Sequence, residues 1–267
     1  MSIQPANISP SYKQKVAARF SKAAQTYDDY AAFQEVVLNQ LFAMVNVSQT
    51  DDVWLDLGTG TGRALSLFAS AETCPSLLAA DISHSMLQQA QGRMPEAHFI
   101  CGDAEALPLK SQSLDGIFSS LALQWCLNQE VLFDELHRVL KQDGELVFAT
   151  LLQDSMPELN QAWQQVDGCS HQNQYLSYDE LLKICRRAGF QEVQAQQNTI
   201  TSWFPCVRDV VDSLKKVGAS LIKDGAAPIS PGKWRNFETQ YERYRETQGL
   251  PLSYRVAFIR LKKVNHG

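Results

Sequence analysis

From about residue 52 to 151 the chain alternates short apolar runs with longer amphipathic stretches. The runs are Val53-Trp54-Leu55-Asp56-Leu57, Leu77-Leu78-Ala79-Ala80-Asp81, Ala97-His98-Phe99-Ile100-Cys101, Leu114-Asp115-Gly116-Ile117-Phe118 and Gly144-Glu145-Leu146-Val147-Phe148. Each has the length of a strand, and helical patterns separate them, which predicts a parallel sheet with helices on both faces. Ser83 is placed to cap the helix after the second run, and the apolar residues Val131, Leu132, Leu136, Val139 and Leu140 mark residues 129–140 as another.

Outside this region the period changes. Val16, Phe20, Ala23, Ala24 and Tyr27 recur at helical spacing, and Val36, Val37, Leu41, Met44 and Val45 follow with a second helix. Beyond the fifth strand, residues 155–166 read as a helix, and Ser177 with Glu180 forms a capping box for another that ends near Gly189. Residues 193–204 and 254–261 read as two more strands, with helical stretches near 207–217 and 233–247 between them. That insertion is expected to hang over the carboxyl edge of the sheet as a lid.

Chemistry enters at Asp56-Leu57-Gly58-Thr59-Gly60-Thr61-Gly62, a strand-to-helix turn with glycines at alternate positions. Glycines admit φ > 0 and close ligand approach, and the turn exposes free helix N–H groups. A dinucleotide fingerprint needs its third glycine at position 63, which is Arg63 here. Asp56 beside the loop suits a cationic ligand better than a pyrophosphate. S-adenosylmethionine, a sulfonium without phosphate, fits that environment. Asp81 lies about 20 residues beyond the glycines, where a carboxylate takes ribose hydroxyls, and on its own it fits NAD equally well. Asp103, within Gly102-Asp103-Ala104, falls at the same sheet edge, where its carboxylate can accept from an adenine amino group while the Ala104 backbone serves the ring.

The 267 residues suit one elaborated α/β domain, and 45% hydrophobic with 20% charged residues is an ordinary globular mix. No apolar run approaches the roughly 18 residues of a membrane span, and Met1-Ser2-Ile3-Gln4-Pro5 lacks a signal-peptide pattern. The six cysteines stand apart with no C-x-x-C pair, which argues against zinc and for reduced thiols in the cytoplasm. Net charge is −5, but residues 1–150 carry 9 Lys and Arg against 17 Asp and Glu, whereas residues 206–263 carry 12 against 6. This is too weak for nucleic acid and suits an acidic protein partner. No histidine, His84 and His98 included, has a spacing that marks it as a general base, so an acceptor already ionised at neutral pH is favoured.

Glycine loop, ribose acid, Gly102-Asp103-Ala104 and Leu114-Asp115-Gly116-Ile117-Phe118 together resemble the class I S-adenosylmethionine-dependent methyltransferases over residues 50–155. The flanks carry a closer resemblance. Phe20-Ser21-Lys22-Ala23-Ala24, Ser119-Ser120-Leu121-Ala122-Leu123-Gln124-Trp125-Cys126, Ser213-Leu214-Lys215-Lys216-Val217-Gly218-Ala219 and Gly249-Leu250-Pro251-Leu252-Ser253-Tyr254 look like the malonyl-acyl-carrier-protein O-methyltransferases of biotin synthesis. One departure is Gly225-Ala226, where a Gly-Arg pair is expected.

The resemblance implies a doubly wound, mostly parallel seven-stranded α/β sheet in a single domain. Its parts are a helical arm (1–48), a cofactor-binding core (49–155) and a C-terminal part with the lid (156–267). It implies methylation of the free carboxylate of a malonyl thioester on an acidic acyl carrier protein, with a coenzyme A thioester as the other candidate. The cofactor-binding residues would be Asp56, Gly58, Gly60, Gly62, Asp81, Asp103, Ala104 and Ser119. Tyr27, Gln124, Trp125 and Lys215 would face the acceptor, with no catalytic base and no metal. Lys216, Arg208, Lys223 and Arg243 are expected on the outer face, towards the carrier. Methylation of a small-molecule acid or quinone precursor, and a non-catalytic cofactor sensor, stand as the alternatives.

Overall fold

A computed structural model describes residues 11–219 and 229–264. The Gly225-Ala226 pair and Lys223 lie outside the described residues. The arm comprises α1 (Tyr12–Ala23), α2 (Tyr27–Tyr30) and α3 (Ala32–Phe42). The core comprises β1 (Val53–Leu57), α4 (Arg63–Ala69), β2 (Ser76–Asp81), α5 (His84–Arg93), β3 (His98–Cys101), β4 (Leu114–Ser120), α6 (Gln129–Val139) and β5 (Leu140–Leu151), and the expected alternation lapses between β3 and β4, where turns replace a helix. Then come α7 (Pro157–Asp167), α8 (Tyr178–Arg187), β6 (Phe190–Phe204), α9 (Val207–Lys216), α10 (Pro231–Tyr241) and β7 (Leu250–Lys263).

The seven strands form one sheet in the order β3-β2-β1-β4-β5-β7-β6. All pairs are parallel except those of β7, which is antiparallel to both neighbours. From β1 the chain winds outward through β2 and β3, then returns to β4 on the other side. This reversal opens a crevice at the carboxyl ends of β1 and β4, the place where open α/β sheets hold ligands. Both faces of the central strands are buried, as their continuous apolar runs predict, while the edge strands β3 and β6 are largely exposed. Trp54, Phe68 and Phe118 pack on one face, and Leu55, Ile117, Phe133 and Phe148 on the other. Because β6 runs parallel to β5, its end at Phe204 pairs with Leu250 at the carboxyl edge. The insertion carrying α9 and α10 therefore leaves and rejoins the sheet on the side of the crevice.

Several boundaries differ from the sequence expectation. The arm helix stops at Ala23, where Thr26 N–H donates to Ala23 O at 3.0 Å, and Tyr27 begins a separate turn of helix. The apolar spacing runs across this break because Phe20 and Tyr27 both pack beside the buried Ala23, Ala24 and Met86. Helix α7 starts at Pro157 rather than 155, since Met156 adopts a left-handed conformation before a proline already fit for the first helical position. Strands β6 and β7 extend each other over 190–204 and 250–263, longer than their apolar spans, because paired backbone sustains polar positions such as Gln191 and Gln194.

Candidate functional site

Strand β1 ends in a loop whose three glycines all have positive φ: 74° at Gly58, 55° at Gly60 and 83° at Gly62. Gly58 N–H and Thr59 N–H donate to Ala80 O at 2.7 and 3.0 Å, which ties the loop to β2. Gly60 N–H reaches Asp81 Oδ2 at 3.0 Å, and Ser83 N–H reaches Asp81 Oδ1 at 2.7 Å. Burial raises the Asp81 carboxyl above the ordinary range, opposed by these backbone N–H bonds.

The end of β4 closes the opposite side. Leu121 is left-handed at φ 53°, and its N–H donates to Ala149 O at 2.9 Å. The turn brings Ala122 against the glycine loop, so closely that a Cβ at Gly58 would lie 2.2 Å from the Ala122 Cβ. Gly58, Gly60, Asp81, Asp103 and Ala104 share one cavity with Leu121, Ala122 and Trp125. Helix α1 roofs it with Lys13, Val16 and Phe20, and Tyr27 joins them. The Trp125 and Phe20 rings meet edge to face with centroids 5.4 Å apart. Burial pushes the Tyr27 hydroxyl above the usual tyrosine range.

Three residues expected at the cofactor do not line this cavity. Asp56 is 2% exposed and accepts from Thr59 Oγ1 at 2.6 Å. Burial, with the nearby Asp81 charge adding to it and the Thr59 bond opposing it, pushes its carboxyl up to about 7. Ser119 is fully buried and donates to Leu57 O at 2.8 Å, joining β1 to β4, while the next residue, Ser120, lines the cavity. Alternation along a strand accounts for that one-residue difference. Gly62 serves helix packing, since a Cβ there would lie 2.9 Å from Ala90 of α5.

The expected acceptor residues divide among three cavities. Trp125 and Tyr27 are in the first. Gln124 lines a second cavity of about 570 Å³, bounded by Leu123, Cys126, Thr150 and the segment 170–176. Its amide is committed to protein: Nε2 donates to Leu121 O at 2.8 Å, and Oε1 accepts from Thr150 Oγ1 at 3.1 Å. Lys215 lies on a third cavity of about 340 Å³, which shares Gln172, Asn173 and Tyr175 with the second.

Sequence reasoning missed Lys13, whose ammonium bridges Asp103 and Glu105. The signal was present, because Lys13, Val16 and Phe20 share one helical face and a cation on such a face needs a partner. Two further contacts tie the arm down: Ser21 Oγ to Ser83 Oγ at 2.8 Å, and Thr61 Oγ1 to Asp28 Oδ1 at 2.7 Å. With the arm seated, the first cavity encloses about 100 Å³. That is less than the several hundred Å³ typical of a ligand site, and the side chains of α1 are what close it from above.

The donor set discriminates among nucleotide ligands. Two carboxylates, apolar walls and one cation already paired to an acid accept hydroxyls, an amino group and positive charge, and they repel a pyrophosphate. A sulfonium nucleoside therefore fits these residues. Among the described residues no cluster of His, Cys, Asp and Glu has the form of a metal site, and no helix is long and apolar enough to cross a membrane.

Comparison with known proteins agrees. A family described as a methyltransferase domain matches residues 55–148. A solved putative methyltransferase from Bacillus halodurans superposes with a TM-score of 0.62 at 17% identity, over 85% of this chain and 99% of that one. Geranyl diphosphate C-methyltransferase from Streptomyces coelicolor, crystallised with S-adenosyl-L-homocysteine, gives 0.60 at 12% identity over 99% and 100% of the two chains. These likenesses establish the fold. The biotin biosynthesis bifunctional protein BioHC of Cellvibrio japonicus is 39% identical over 94% of this chain and 50% of its own length. The malonyl-[acyl-carrier protein] O-methyltransferase of Marinomonas sp. (strain MWYL1) is 45% identical over 99% of both chains. At that identity and coverage, the chain belongs to the malonyl-[acyl-carrier protein] O-methyltransferases, enzymes of the class I fold that use S-adenosylmethionine.

Proposed function

We propose that this enzyme methylates the free carboxylate of a malonyl thioester on acyl carrier protein, as its relatives are named for doing, and so belongs to biotin synthesis. When bound, S-adenosylmethionine supplies an electrophilic methyl group on a sulfonium that departs as a neutral thioether. Asp81 would take the ribose hydroxyls and Asp103 with the Ala104 backbone the adenine, after Lys13 yields part of its hold. Gly58 and Gly60 leave room for the amino-acid end. Asp56, behind the loop, accepts from Thr59 and so holds the glycine turn in place.

The observation that carries the choice of acceptor is the wall at the end of β4. Leu121, Ala122, Leu123 and Trp125 offer no side-chain base. Cys126, beside that wall, is pushed up to about 12, chiefly by burial and then by Glu105 and Asp103, and stays a neutral thiol. An acceptor that must lose a proton is poorly served by such a wall, whereas a carboxylate arrives ionised and needs only alignment. The adjoining second cavity presents Gln172, Asn173 and Gln174 rather than cations. Amide donors orient a carboxylate without tying up its lone pairs. The arm excludes water from the reacting centre.

Mass spectrometry of malonyl-carrier incubated with the enzyme and cofactor tests this, with a gain of one methyl group expected. Parallel reactions with malonyl-coenzyme A and free malonate resolve the acceptor. Transfer to free malonate with none to the carrier supports the small-molecule reading, and transfer to no acid at all supports the sensor.

A further inference from the structure

Helix α1 is built from Tyr-Lys-Gln-Lys-Val-Ala-Ala-Arg-Phe-Ser-Lys-Ala, with four cations and no acid. This stands out within the acidic first 150 residues of the chain. Only Lys13 turns inward, to Asp103 and Glu105. Lys15, Arg19 and Lys22 recur at spacings of four and three, are exposed, and form no ion pair among the described residues. The stripe continues onto a second element. Gly218, just past α9, sits so close to α1 that a Cβ there would lie 3.3 Å from Arg19 O and 3.2 Å from the Phe20 ring. The exposed Lys215 and Lys216 precede that contact, with Lys216 held 4.0 Å over the Tyr30 ring. Asp209 and Asp212 are the acids on α9 that oppose this charge. Lys215 and Ala219 also line the third cavity, which meets the second at Tyr175.

We propose that the outer face of α1, extended by the end of α9, is the docking surface for the acidic carrier protein, and that the carrier's acyl arm enters beside Lys215 through the third cavity. The proposal rests on the carrier-thioester reading above. Charge complementarity selects the occupant: a cationic stripe with no internal acids attracts an acidic helix and speeds its encounter. Compared with the sequence expectation, the centre of the basic face shifts from the C-terminal region alone to the arm.

The test is the triple variant Lys15→Glu/Arg19→Glu/Lys22→Glu, assayed with malonyl-carrier and with malonyl-N-acetylcysteamine. At an ionic strength of about 0.01 M, where charges act over about 30 Å, KM for the carrier is expected to rise about tenfold or more. Turnover at saturating carrier, turnover of the small thioester and calorimetric affinity for S-adenosylhomocysteine stay at wild-type values. The KM difference closes at about 1 M salt, where screening acts within about 3 Å. The control is Lys110→Glu/Arg187→Glu/Lys262→Glu, three cations outside α1 and α9. An unchanged carrier KM in the arm variant overturns the proposal, and so does an equal rise in the control. A loss that persists at high salt also overturns it, because a displaced arm would then be responsible. If the wild-type enzyme methylates neither acceptor, the carboxylate reading itself fails and docking falls with it.

Discussion

Asp81 carries the most quantitative prediction. Each of its carboxylate oxygens accepts one backbone N–H, from Gly60 at 3.0 Å and Ser83 at 2.7 Å, and keeps a second acceptor position for a ribose hydroxyl. A hydrogen bond to a charged acceptor contributes about 1.5–3 kcal/mol. Deleting one hydroxyl from the ligand should therefore weaken binding to the wild-type enzyme roughly 10- to 150-fold. Asp81→Ala removes the acceptor but also strands the Gly60 and Ser83 N–H groups, at about 1–3 kcal/mol each. Its melting temperature should fall, and its affinity alone would confuse ligand contact with loop order. A double cycle separates the two: calorimetry of S-adenosylhomocysteine and its 2′,3′-dideoxy analogue on both proteins. The analogue is expected to bind far more weakly to wild type, while the variant binds both ligands within about twofold, the loss for a bond that is no longer made being near zero. An equal dideoxy penalty in both proteins would refute the ribose assignment.

Two other predictions follow from placement in the loop. Gly60→Val meets nothing within 4 Å but imposes a side chain on φ 55°, so it should remain folded and lose cofactor affinity. Gly62→Ala should instead destabilise the fold by about 1–3 kcal/mol through overpacking against Ala90, with affinity of the folded fraction retained; equal affinity losses in calorimetry would return Gly62 to the ligand. The Asp56 carboxyl, raised from 3.8 to about 7 in the native state, keeps a proton that the unfolded chain gives up. Its stabilising contribution is complete below pH 3.8 and is lost as pH rises through about 7. Melts of wild type should accordingly decline across that window, and Asp56→Asn, still able to accept from Thr59, should flatten the decline.

Much of the site was legible because strand ends and loop chemistry are local. Apolar runs buried on both faces marked the strands, and the acids that terminate β2 and follow β3 reach the crevice simply by standing at carboxyl ends. Asp56 and Ser119 stand off the cavity because a contiguous motif does not tell which way a strand side chain points: Asp56 turns to Thr59 of the loop, and Ser119 to Leu57 O of β1. The break after Ala23 was invisible for a related reason. Apolar spacing records which side chains meet the core, and Tyr27 meets the same Met86 patch after a turn as it would on an unbroken helix. Lys13 needed tertiary information of another kind, since its partners are 90 and 92 residues away.

Helix α1 borders both cavities at once: Tyr12 walls the second, and Lys13, Val16 and Phe20 wall the first. An element so placed predicts an ordered reaction. A raised arm would admit the nucleoside but withdraw part of the acceptor's wall and the stripe that would greet the carrier. Nucleoside binding is then expected first, with the arm's return completing the second site. Release is expected in reverse, the methylated carrier leaving before the spent nucleoside. Steady-state patterns should then show S-adenosylhomocysteine competing with S-adenosylmethionine and not with the carrier.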